Sequence, residues 1–122
     1  MTQTASNTAM QMSTQMQKCI AMCNETHSMC EQTMTYALRK GGHLAERDVV
    51  MMLMDCAEIS RMCADMMMRQ SGIASRMCRM CAEVCMSCAE MCSRIDDQTM
   101  KMCADACRRS AEMCLQMADG PM

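Results

Sequence analysis

Between residues 78 and 92 the chain reads CRMCAEVCMSCAEMC, and its five cysteines (Cys78, Cys81, Cys85, Cys88 and Cys92) fall at spacings of three, four, three and four. Residues three and four apart share one face of an α-helix and no single face of a strand. The stretch is therefore predicted to be a helix carrying an unbroken stripe of thiols. The same rhythm returns in CIAMCNETHSMC (19–30), DCAEISRMC (55–63) and MCADACRRSAEMC (102–114). Four thiol-striped helices have to bury four stripes, and short connections bring sequential helices together antiparallel.

Stop signals divide the chain accordingly. Residues 1–12, rich in Ser, Thr, Gln and Asn, read as a flexible or partly helical lead-in, and 13–119 as a four-helix bundle. The first helix is predicted over Ser13–Lys40, stopped by Gly41-Gly42, and the second over Glu46–Arg69, ending near Ser71-Gly72. The third spans Ile73–Arg94. Asp96-Asp97 then cap a fourth that ends around Ala118, before Gly120-Pro121. The expected fold is all-α: an antiparallel up-down bundle with a Cys- and Met-lined core.

Heptads sharpen the expectation. In the third helix Cys78, Cys85 and Cys92 take a, and Cys81 and Cys88 take d. In the fourth, Met100, Cys107 and Cys114 are a, with Cys103, Ser110 and Met117 at d. In the second, Val49, Cys56 and Cys63 are a, with Met52, Ile59 and Met66 at d. In the first, Met16, Cys23 and Cys30 are a, with Met12, Cys19, Thr26 and Thr33 at d. All 13 cysteines thus point inward. The interior has little else to use: the chain has no Phe, no Trp, one Tyr and 23 Met, and sulfur side chains fill cores as adaptable apolar groups.

Packing alone does not explain thirteen thiols, since Ala, Val or Leu would fill the same places without risk of oxidation. An odd number of cysteines also rules out complete disulfide pairing within one chain. Thiols stay reduced in the cytoplasm, which is the expected location. No apolar run reaches the roughly eighteen residues a membrane span needs, and the start lacks a signal peptide's apolar segment. The net charge of −2 offers no basic patch for nucleic acid. No nucleophile–base pair lies outside the seam, so an enzyme is not expected. Asp55, Asp65, Glu58, Glu83 and Glu90 read as surface partners for Arg and Lys.

Soft thiolates select Cu(I), Zn(II) or iron in sulfide clusters. The iron–sulfur run with a proline after its last cysteine is missing. A structural zinc site closes around four ligands, usually on a knuckle, whereas these Cys-x-x-Cys pairs sit within helices. Charge favours copper further. Each Cu(I) displaces one thiol proton, so one ion per cysteine leaves the seam neutral, while zinc held by four thiolates buries two negative charges. Ligand arithmetic gives about thirteen Cu(I) per chain. A zinc or mixed-metal thiolate buffer and an iron–sulfur carrier are the alternatives.

The segments quoted above, with their repeated Cys-Ala-Glu-x-Cys signature, resemble the copper storage protein family over about residues 19 to 117. The resemblance implies cysteine-rich four-helix bundles that hold many Cu(I) ions, a cytosolic store, and an assembly of bundles, commonly a tetramer. It makes Cys19, Cys23, Cys30, Cys56, Cys63, Cys78, Cys81, Cys85, Cys88, Cys92, Cys103, Cys107 and Cys114 the metal ligands. A copper chaperone or a small-molecule thiol would supply the ions. This chain departs from the family at Thr26, Ala37, Ser60 and Ser110, where relatives often carry cysteine, and is richer in methionine.

Auxiliary ligands can be named too. His27 lies at an e position beside the seam, in the slot of the family's Cys-His segment. Met34, Met52 and Met100 gather at the end formed by the first–second and third–fourth connections, near His43, and thioethers suit a weak, exchangeable entrance. Met80, Met86 and Met102 point outward and suggest a subunit interface.

Overall fold

The computed structural model describes residues 12–119, so the expected lead-in lies outside the described residues except for Met12, and so does Gly120-Pro121. Four helices form: α1 (Thr14–Lys40), α2 (Arg47–Met68), α3 (Ala74–Ser93) and α4 (Gln98–Asp119). Each lies within two residues of its predicted bounds. Local chemistry accounts for the ends. Ser13 caps α1 by accepting from the Met16 amide at 3.0 Å. Gly41, at φ +76°, takes a positive-φ conformation that suits glycine and ends α1, and its amide returns to the Ala37 carbonyl at 3.0 Å. Asp97 caps α4, its Oδ1 accepting from the Met100 amide at 3.0 Å.

The Gly41-Gly42 stop continues into a short 3-10 turn, Gly42–Ala45, which the sequence did not suggest. It buries Leu44 over one end of the bundle.

Sulfur contacts establish the antiparallel order. Cys23 meets Cys114 while Cys30 meets Cys107, so α1 and α4 run in opposite directions. Cys56 meets Cys85 while Cys63 meets Cys78, and the same holds for α2 and α3. All thirteen cysteines are buried and free. Around the seam lie buried alanines, among them Ala57, Ala64, Ala82, Ala89, Ala104 and Ala111. Methyl groups at these places let the helices approach closely.

One register differs from expectation. In α2 the buried line runs Val49, Leu53, Cys56, Ser60, Cys63, Met67, so Leu53, Ser60 and Met67 replace Met52, Ile59 and Met66 as the inward residues. The latter three are half-buried and pack against the flank of the core. Val49, Cys56 and Cys63 keep their places, and the next inward residue after each falls four positions on rather than three.

Candidate metal centre

The four stripes converge on two sets of thiols. Cys23, Cys63, Cys81 and Cys114 have their sulfur atoms all within 4.8 Å of one another, and so do Cys30, Cys56, Cys88 and Cys107. Each set takes one cysteine from each helix. The remaining five thiols attach to these. Cys19 lies 3.9 Å from Cys114 and Cys78 lies 3.6 Å from Cys63. Cys103 lies 3.9 Å from Cys30, and Cys92 follows Cys88 one turn further along the buried face of α3. Cys85 stands between the sets, 3.7 Å from Cys56 and 3.8 Å from Cys81. A metal–sulfur bond is about 2.3 Å, so a tetrahedral ion spaces its sulfurs about 3.8 Å apart. The seam is already at coordinating distances.

Thiols this close share protons. Cys23 is pushed well below the ordinary thiol range, chiefly because Cys114 donates to it, with Cys19, Cys63 and Cys81 adding to the effect. Cys56 is lowered in the same way, first by Cys107 and then by Cys30. Cys103 is lowered by Cys107 and Cys30, and Cys78 by Cys63. The donors move in the opposite direction, since each keeps its proton to stabilise a neighbour. Cys85 is pushed up to about 12, mainly by Cys56, and Cys92 to about 12, mainly by Cys103. Hydrogen bonds among the thiols thus polarise the empty seam, and its protons leave in exchange for metal.

Four hydroxyls interrupt the thiols: Thr26, Thr33, Ser60 and Ser110, each at most 1% exposed. Thr26 donates to the Ala106 carbonyl at 3.5 Å. Ser60 lies 3.7 Å from Cys85 and Ser110 3.9 Å from Cys23. Thr33 Oγ1 alone among the buried side-chain oxygens and nitrogens of the described residues has no partner.

His27 does not reach the seam's interior. It is half-buried, and its Nδ1 donates to the Ala57 carbonyl at 2.7 Å, which leaves Nε2 the unprotonated nitrogen in the neutral ring. Met100 is fully buried, Met34 and Met52 are half-buried, and His43 is exposed. The opposite end holds a cleft of about 360 Å³ lined by Met16, Gln70, Ser71, Gly72, Ala74, Ser75 and Ala118. No residue pattern announces it, because it depends on how the α2–α3 turn stands beside the N-terminus of α1. Met80 and Met102 are about half exposed and Met86 less so. None of the five singled-out carboxylates takes part in the four ion pairs found among the described residues, which use Asp48, Asp96, Asp105 and Asp119 instead.

Comparison with known proteins matches this geometry. A family model described as copper storage protein matches residues 12–119. A crystal structure of a protein from Nitrosospira multiformis superposes with a TM-score of 0.81 at 34% identity, covering 85% of this chain and 94% of that one. A Cu(I)-bound copper storage protein, BsCsp3, superposes with a TM-score of 0.81 at 26% identity, covering 85% and 98%. The apo form of copper storage protein 3 from Bacillus subtilis gives a TM-score of 0.78 at 28% identity, covering 84% and 97%. No curated protein matches the chain in sequence.

Proposed function

The chain belongs to the copper storage protein family, and from that premise we infer how it holds its cargo. The protein stores multiple Cu(I) ions in the thiol-lined core of its four-helix bundle. We propose that all thirteen cysteines are the ligands, each thiolate bridging two ions, at about one Cu(I) per cysteine. The observation that carries this is the pair of four-thiol sets, each with its sulfurs within 4.8 Å of one another. Thioethers of Met34, Met52 and Met100, with His27 on the flank, are proposed as auxiliary groups.

The same four-sulfur spacing would also fit a divalent ion such as Zn(II). A zinc tetrathiolate, however, carries two negative charges, and no buried Lys, Arg or His lies in the seam to offset them. Replacement of thiol protons by Cu(I) adds no net charge. We propose a storage role rather than a catalytic one.

The cytoplasm is proposed as the location, since the seam works only with reduced thiols; among the described residues no helix is long and apolar enough to cross a membrane. Met62, Ile73, Met80, Met102 and Leu115, each more than 40% exposed, support a homo-oligomer, with a tetramer proposed. A copper chaperone or a small-molecule thiol is proposed as donor. The deciding experiment is an anaerobic titration of the reduced protein with Cu(I) against a chelator. Filling at about one ion per thiol is expected, whereas tight Zn(II) at about one ion per four thiols would favour the buffer reading.

A further inference from the structure

We propose that the seam is two separate copper stores, one toward each end of the bundle, divided by a waist of hydroxyls at Thr26, Ser60 and Ser110 and joined only through Cys85. The proposal rests on the copper-storage reading and concerns how the stored ions are partitioned.

The argument begins with spacing. The two members that each helix gives to the four-thiol sets lie seven residues apart throughout: Cys23 and Cys30, Cys56 and Cys63, Cys81 and Cys88, Cys107 and Cys114. At 1.5 Å per residue, seven residues set the two layers about 10 Å apart. Between them each helix turns one further residue inward, and these are Thr26, Ser60, Cys85 and Ser110, all fully buried. Three of the four residues at the midpoint are therefore alcohols.

A neutral hydroxyl is a poor ligand for a soft cation that has thiolates within reach. Two metal–sulfur bonds of about 2.3 Å each fall well short of the rise between layers, so an ion chain crosses the waist by stepping on an intervening sulfur. Cys85 is that sulfur. Among the described residues, the sulfur–sulfur hydrogen-bonding contacts that join the two sets both involve it, one to Cys56 and one to Cys81. Either side then holds six thiols: Cys19, Cys23, Cys63, Cys78, Cys81 and Cys114 at one end, and Cys30, Cys56, Cys88, Cys92, Cys103 and Cys107 at the other. The hydroxyls have a further effect once thiols ionise. Ser110 can donate to Cys23 on the inner face of one store, and Ser60 to Cys85, the joining sulfur itself.

The test uses Cu(I) itself, titrated anaerobically into the full chain against a competing chelator and followed by native mass spectrometry. One variant replaces Cys23, Cys63, Cys81 and Cys114 by serine, and a second replaces Cys30, Cys56, Cys88 and Cys107. Separate stores predict that each variant keeps the untouched half, about six ions, at an affinity within about threefold of wild type, below the roughly five- to 150-fold range of coupled sites. A shift of about tenfold or more in the untouched half, or loss of its ions, would overturn the proposal. Should a quadruple variant unfold, Cys85→Ser supplies the decision. It alters one buried atom and is expected to remove about one ion while both halves still fill; loss of several ions would refute the division. Wild-type filling at about one ion per thiol with strongly coupled halves would reject the partition and leave storage standing, whereas absence of tight Cu(I) binding in wild type would reject both.

Discussion

The Tyr36 hydroxyl donates to Asp97 Oδ2 at 2.6 Å, joining the last turns of α1 to the connection that leads into α4. The other oxygen of Asp97 caps α4 at the Met100 amide. One carboxylate therefore fixes both the start of a helix and the position of its neighbour across the bundle end. Tyr36 holds the Asp97 carboxyl below the usual carboxylate range, and the Met100 amide adds to this.

Tyr36→Phe is expected to lower the thermal midpoint modestly at neutral pH. The sign with pH follows from the depressed Asp97 carboxyl: its contribution is present above the unfolded value and is lost as pH falls through the lower, folded value. Melting curves of wild type and variant should therefore converge as pH falls below the ordinary carboxylate range. A gap that widens on acidification would assign the stabilisation elsewhere.

The metal-free protein should already be helical by far-ultraviolet circular dichroism, because buried neutral thiols pack as small apolar groups. Loading should raise the thermal midpoint in steps, each bound ion adding RT ln(1 + [L]/Kd) to the folded state. A largely unfolded apo chain would instead make metal binding the folding event.

Replacing Cys81, Cys85 and Cys88 together by serine should preserve helicity and remove about three ions, at one per thiol. All three are fully buried on α3, and serine matches cysteine in shape. Capacity that barely changes, measured by native mass spectrometry, would move the ligands to methionine.

Copper uptake should weaken with acid. Entering ions displace protons from neutral thiols such as Cys85 and Cys92, both pushed up to about 12. Protons bind the empty form and not the loaded one, so acid favours release. Apparent affinity should fall about tenfold per pH unit of acidification for each proton displaced. Chelator competition at pH 6, 7 and 8, each value being about one step of that scale, reads it directly.

Changing Met34, Met52 and Met100 together to leucine should slow uptake of about half the copper and leave capacity intact, since leucine keeps the packing and removes only the thioether. The half affected is the store nearest Met100, which ends in Cys92 and Cys103. The matching change of Met16, which lines the cleft at the other end, together with the buried Met67 and Met117, should slow the remaining half. Anaerobic stopped-flow absorbance would show two phases; rates unaffected by either triple change would remove methionine from the route.

Much of this was legible in the residues. The three–four rhythm of cysteines is unambiguous because no other arrangement buries it, and so all four helices and the inward direction of every thiol could be read in advance. The register of α2 was less clear for a simple reason. Met52 stands beside Leu53 and Met66 beside Met67, so apolar character is equal at those adjacent positions. At the middle pair the pattern misleads outright, since Ile59 is half-buried and Ser60 fully buried. The burial of Leu44 was hidden because a 3-10 turn of four residues carries no periodic signal. The waist was half visible. Thr26, Ser60 and Ser110 stood out as departures from the family, but their alignment in one layer depends on the relative heights of four helices.

The buried alanines and the inward-pointing sulfurs occupy different positions on the same helices, which separates the girth of this bundle from its payload. Ala57, Ala64, Ala82, Ala89, Ala104 and Ala111 set how near the helices come, while the residue chosen at each seam position sets what can be carried. Serine and cysteine differ there by one atom, oxygen for sulfur, within nearly the same volume. A container of this kind is adjustable in capacity one hook at a time, with no wall moved to do it.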